Sequence, residues 1–197
     1  MTVQGDRRSA VLRRAVPSAV LLAGFAAALA LRVALGGPGV ARSAPAGLAF
    51  AGCLGVLTLA AGTRLRLGRR AAWAGLLAGA VLCLPPLLTR VVTGWTPRPD
   101  GSYLGWAAVV AVVAIAEEAF LRGALYDAVA AWQGEVVAIG TGALAFAVLH
   151  VPLYGWHVAM LDLAVGIWLG VLRSLTGSPG APAVAHVVAD LAGWWVR

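Results

Sequence analysis

Seven apolar runs follow one another along this chain, separated only by short polar connections. A helix needs roughly twenty consecutive apolar residues to cross the hydrocarbon of a bilayer. In lipid, every backbone amide must be satisfied internally, which leaves helices and closed barrels as the spanning structures. The runs lie at about residues 15–35, 45–62, 71–92, 104–131, 136–151, 157–172 and 182–195. They predict an all-α, polytopic transmembrane bundle of about seven helices, with no room left for a soluble domain. Composition agrees: 61% of residues are hydrophobic and 12% charged, and the mean hydropathy is +0.88. Such values lie outside the soluble globular range.

The net charge of +7 does not mark a nucleic-acid binder, because the arginines that make it sit mainly in the connections. Arg7, Arg8, Arg13 and Arg14 precede the first run; Arg64, Arg66, Arg69 and Arg70 follow the second; Arg173 follows the sixth. The opposite connections carry only Arg42 and Arg98. Basic residues concentrate on the cytoplasmic side, so the bias predicts a cytoplasmic N-terminus and an outside C-terminus. The first run is longer than a signal-peptide core and is followed by more spans, which favours a retained helix over a cleaved leader. Pro85-Pro86 predicts a kink in the third span and Pro152 an end to the fifth. Trp95, Trp106, Trp132, Trp156, Trp194 and Trp195 fall near span ends, where amphipathic rings anchor at the interface. Arg32 and Arg90, near apolar ends, are placed to snorkel. Cys53 and Cys83 lie inside apolar spans without redox or metal spacing, and read as small hydrophobic residues.

By this division, residues 1–14 form a basic cytoplasmic tail, 15–103 hold three accessory helices, and 104–195 hold the residues capable of chemistry. All the basic residues are arginine, with no lysine or asparagine and abundant Ala, Gly and Pro. That bias points to a GC-rich bacterial genome and hence to a bacterial plasma membrane.

The anomaly is an acidic doublet, Glu117-Glu118, at the heart of the fourth span. One acidic residue at a bilayer centre costs roughly 2.5–3.5 kcal/mol on insertion scales. Intramembrane ionisable groups are by default functional. At about 100° per residue, Arg122 lies about 40° from Glu118 and about 140° from Glu117. Glu118 and Arg122, at i and i+4, are thus set for a supporting ion pair. Glu117 is left to address another helix. Downstream, Phe146-x-x-x-His150 closes the fifth span, and His186-x-x-x-Asp190 places an imidazole and a carboxylate on one face of the last. Depth along the spans matches Glu117 with His150 but leaves His186 nearer the cytoplasmic side. His157, Asp162 and Asp127 read as interfacial or water-reaching groups.

Glu117-Glu118-x-x-x-Arg122, Phe146-x-x-x-His150 and His186-x-x-x-Asp190, in that order and with Gly123 after the arginine, resemble the three motifs of the CAAX-protease and bacteriocin-processing family of intramembrane proteases. This family is also called Abi and is related to type II CAAX prenyl endopeptidases. The resemblance covers about Leu104 to Trp194; Asp190 stands where CAAX endopeptidases often have Asn. It implies hydrolysis of peptide bonds in membrane-associated proteins or peptides, by a hydrolase whose other partner is the bilayer and which binds no nucleic acid. A carboxylate removed from water is suited to take a proton from a nucleophilic water. Glu117 with His150 would activate that water, and His186 with Asp190 would stabilise the oxyanion or hold the water. Alternatively, Glu117, His150 and His186 would supply a His₂Glu set for catalytic Zn²⁺ or another divalent metal. The family is commonly labelled metalloprotease, and a metal-free mechanism has also been proposed for it. Two further readings are a non-proteolytic immunity or membrane-assembly protein on the same fold, and a small proton-coupled transporter. The halves of the chain lack the inverted repeat that a transporter often shows.

Overall fold

A computed structural model describes residues 16–93 and 102–196. The basic tail at 1–14, with Arg7, Arg8, Arg13 and Arg14, lies outside them, as do Trp95 and Arg98. The described residues are mostly helical, with no strand among them. Helix α1 spans Ser18–Gly36, α2 Ala44–Ala60 and α3 Arg69–Thr93. Helix α4 spans Tyr103–Glu118 and runs into a π-helical segment, Ala119–Leu125, and then α5, Tyr126–Gln133. Helices α6 (Glu135–Tyr154), α7 (Ala159–Thr176) and α8 (Gly180–Val196) complete the chain.

Local chemistry accounts for several of these boundaries. Ser43 and Ser102 each accept a hydrogen bond from a backbone N–H in the first turn of α2 and α4, satisfying donors that a helix start leaves orphaned. Gly134, at φ 84°, reverses the chain between α5 and α6, a conformation that a side chain would strain. The expected end at Pro152 moves: α6 continues through it to Tyr154 and stops at Gly155, φ 93°. Proline removes one donor, and here the positive-φ glycine, rather than the proline, ends the helix. Helix α3 likewise continues through Pro85 and Pro86.

Among the described residues, five helical stretches are long and apolar enough to cross a membrane, and α2 is a shorter apolar helix. Large apolar side chains such as Val56, Leu59, Leu77, Leu88 and Val91 are well exposed on the outside. A hydrophobic exterior of this kind belongs in lipid. This is a multi-pass membrane protein.

Glycines let the helices approach closely, as in membrane bundles generally. Gly75 and Gly79 of α3 meet α8 in parallel: a Cβ on Gly75 would lie 2.6 Å from the Ala181 carbonyl oxygen, and one on Gly79 2.8 Å from that of Ala185. Helices α6 and α7 pack antiparallel, Gly166 against Ala143 and Gly170 against Ile139. One core gathers α1, α2, the π segment and α6 around Phe25, Phe50, Phe120 and Phe146. Phe25 stacks on Phe120 with ring centroids 5.7 Å apart. Trp132 and Trp156 are exposed as interfacial anchors should be, whereas Trp194 is buried. It packs with Tyr103 and Trp106, joining α4 to α8.

Candidate active site

Helix α4 delivers both glutamates to the bundle interior just as the helix widens. Glu117 is 3% exposed and Glu118 fully buried. The π turn after them carries Arg122, 1% exposed, back towards Glu118. Such π segments are often found at functional sites. Arg122 Nη1 donates to Glu118 Oε1 at 2.8 Å, the ion pair expected from the i,i+4 spacing. Its Nη2 donates to the Gly166 carbonyl at 3.1 Å, and its guanidinium lies over the Phe146 ring at 4.9 Å. Glu118 is therefore an inter-helix hub as well as a local partner, because His186 Nδ1 also lies 3.0 Å from the same Oε1.

His186 Nε2 faces Asp190 Oδ2 at 3.5 Å, so one carboxylate stands at each ring nitrogen. The Asp190 side chain is 40% exposed, unlike the sealed Glu118. His150 Nδ1 lies 2.8 Å from the Phe146 carbonyl oxygen. A carbonyl only accepts, so the proton is on Nδ1 and the neutral ring presents Nε2 as an acceptor. Phe146 is the centre of the arrangement: its ring contacts His150 at 4.4 Å and His186 at 5.3 Å, besides Arg122.

Glu117 does turn to another helix, and its partner is Arg32 of α1, Nη1 to Oε1 at 3.3 Å. Arg32 was expected to snorkel; it is 7% exposed, with its guanidinium over the Phe50 ring at 5.0 Å. A signal for it existed in the sequence. Once Glu118 takes Arg122, Glu117 lacks a cation, and Arg32 is an arginine within an apolar run. Glu117 and His150 share no hydrogen bond.

The expected depth mismatch of His186 disappears, although the fourth span runs as one apolar helical stretch, Tyr103–Gln133, close to its expected bounds. Gly123 already abuts the connections at the arginine-rich end: a Cβ there would lie 2.7 Å from Thr63 Cγ2 and 3.8 Å from Pro179. Arg173 Nε donates to the Arg122 carbonyl at 2.8 Å from the last turn of α7. Glu118 precedes Gly123 by little more than a turn, and His186 follows Gly180 by less than two, so they meet.

Among the remaining residues, Asp127 pairs with Arg173 at 2.8 Å with its side chain 53% exposed, and His157 is exposed in a short turn. Asp162 departs from its expected role as an interfacial group. It is half-buried near His150, within electrostatic reach of His186 and Asp190. Among the described residues, no three His, Cys, Asp or Glu side chains form a group that could hold a metal ion. As arranged, Glu117 is tied to Arg32 and both His186 nitrogens face carboxylates, so the His₂Glu set does not fit a metal without rearrangement.

Fold and site together define a multi-pass helical membrane protein with a buried acid–imidazole–arginine cluster. Residues 99–192 match the family model described as type II CAAX prenyl endopeptidase Rce1-like. The recognition of that family from the three motifs holds over this segment, which is nearly half the chain. Searches of curated proteins and of solved structures gave no match.

Proposed function

We propose that this protein is an intramembrane endopeptidase that hydrolyses peptide bonds in membrane-associated proteins or peptides. The observation that carries the reading is the convergence of three motifs on the Phe146 ring. Arg122 of the first, His150 of the second and His186 of the third all contact it. The Rce1-like match over 99–192 supports the reading, since that family is one of proteases.

The two glutamates divide the work. Glu118 gives Oε1 to both Arg122 and His186, its Oε2 is buried without a hydrogen-bond partner among the described residues, and the residue serves as scaffold. Glu117 has one oxygen held by Arg32 and the other without a hydrogen bond to a described residue. That second oxygen, with His150 Nε2, takes the proton of a water whose oxygen attacks the scissile carbonyl carbon. His186, held at Nδ1 by Glu118, donates from Nε2 to the oxyanion that forms once the part-exposed Asp190 carboxylate swings away from that nitrogen. Collapse of the tetrahedral intermediate breaks the C–N bond, and the proton held by Glu117 or His150 passes to the leaving amine.

The deciding assay is cleavage of fluorogenic membrane peptides by protein purified into nanodiscs. Wild type should cleave and Glu117→Gln should not; retained cleavage by Glu117→Gln removes the mechanism. Metal analysis of the same preparation, alongside His150→Ala/His186→Ala, separates the metallo alternative from the metal-free one. A second reading, an immunity or membrane-assembly protein, draws on the closed Glu118–Arg122–His186 network, which would hold the helices without any reaction. It predicts a cellular phenotype unchanged by Glu117→Gln.

A further inference from the structure

The candidate site draws on a residue outside the segment that matches the protease family. Arg32 belongs to α1, within the part of the chain read from sequence as accessory. Its guanidinium is enclosed: Nη1 reaches Glu117 Oε1 at 3.3 Å, the Phe50 ring lies under the cation at 5.0 Å, and the residue is 7% exposed. Nε is buried without a hydrogen-bond partner. Helix α1 packs on α2 and the π segment, and Phe25 of α1 stacks on Phe120, two residues beyond Glu118. Arg32 is therefore held by the same packing that fixes the doublet.

We propose that Arg32 is a positioning residue for Glu117, and that the active site is incomplete without α1. This inference rests on the assignment of Glu117 as the base. A carboxylate beside a second carboxylate, buried in an apolar bundle, has no reason to hold one rotamer unless a cation holds it. Glu118 cannot help, being engaged by Arg122 and His186. Arg32 is the group that hydrogen-bonds Glu117 among the described residues. By occupying Oε1 it turns Oε2 to the reacting water, and its charge offsets the doublet's second negative charge. The flat guanidinium also stacks on Phe50, a contact that a lysine ammonium reproduces poorly.

The test compares wild type, Arg32→Met, Arg32→Lys, Glu117→Gln and the Arg32→Met/Glu117→Gln pair, each as the full chain in nanodiscs with one peptide substrate. Arg32→Met should lower kcat about 100-fold, the scale of a misplaced catalytic group, with KM little changed. Arg32→Lys should recover part of that loss. In the Glu117→Gln background, Arg32→Met should cause no further fall, because nothing remains to position. Wild-type kcat in Arg32→Met, with Glu117→Gln inactive, overturns this inference and leaves the functional reading intact. An active Glu117→Gln overturns both. Should Arg32→Met fail to fold, Arg32→Lys carries the test: reduced kcat at an unchanged unfolding temperature supports positioning, and unchanged kcat refutes it.

Discussion

Nδ1 of His186 lies 3.0 Å from Oε1 of Glu118, the same oxygen that Arg122 Nη1 holds at 2.8 Å. One carboxylate oxygen thereby joins the first motif to the third across two helices. The pairing of Glu118 with Arg122 is local; the bond to His186 is what makes the pair part of a site.

Removing that carboxylate should unsettle the fold. Glu118→Ala leaves Arg122 as an uncompensated cation at 1% exposure, and breaking a buried pair typically costs about 3–5 kcal/mol. Thermal unfolding in detergent should show a large drop for Glu118→Ala and a smaller one for Glu118→Gln. An unfolding temperature equal to wild type for Glu118→Ala would contradict the scaffold role.

Arg122→Lys tests geometry at constant charge. The guanidinium reaches Glu118 and the Gly166 carbonyl at once while covering Phe146. A lysine cannot span the same fork. Loss of one buried hydrogen bond should lower stability by about 1–3 kcal/mol, read from denaturant midpoints, with α7 loosened because it carries Gly166.

His150→Ala should behave in the opposite way. Its ring nitrogen bonds only its own helix, at the Phe146 carbonyl, and the ring stacks on Tyr154. Stability should fall by about 1 kcal/mol, the centre of the range for single substitutions. Proteolysis should fall on the order of 10²–10⁴-fold, as loss of a proton-transfer group does. Peptide cleavage and thermal unfolding measured on one preparation distinguish this from a structural histidine.

Gly166→Ala probes a contact made of backbone. The added methyl would sit 2.7 Å from Ala143 Cα, and overpacking of this kind costs about 1–3 kcal/mol. Helix α7 should shift away from α6, weakening the Arg122 bond to the Gly166 carbonyl. Hydrogen exchange of the α6–α7 pair should rise; unchanged protection would mean the seam has slack.

Much of this was legible in the sequence because hydrophobicity is a property of runs. Span positions, the C-terminal location of the polar groups and the Glu118–Arg122 pair all follow from local spacing. Arg32 was misread because its partner is distant in the chain, and proximity to a span end made a watery escape look cheaper than burial. The depth of His186 was misjudged because apolar length does not say where a neighbouring helix begins. Only the contact of Gly123 with Thr63 and Pro179 fixes that level. The turn past Pro152 was misplaced because the positive φ of Gly155 decides the stop.

The glycine seam between α3 and α8 sets the register of the candidate site. Gly75 and Gly79 lodge against the backbone at Ala181 and Ala185, so α8 has discrete seats spaced one turn apart, about 5.4 Å. Helices can ratchet between such seats. Here the neighbouring seats are poor ones. Sliding one turn in one direction would present Asp190 to Glu118, carboxylate against carboxylate. Sliding the other way would present Pro182, which has no donor to offer. The spacing that lets the helices nest therefore also penalises each wrong notch, and His186 is the side chain that fits.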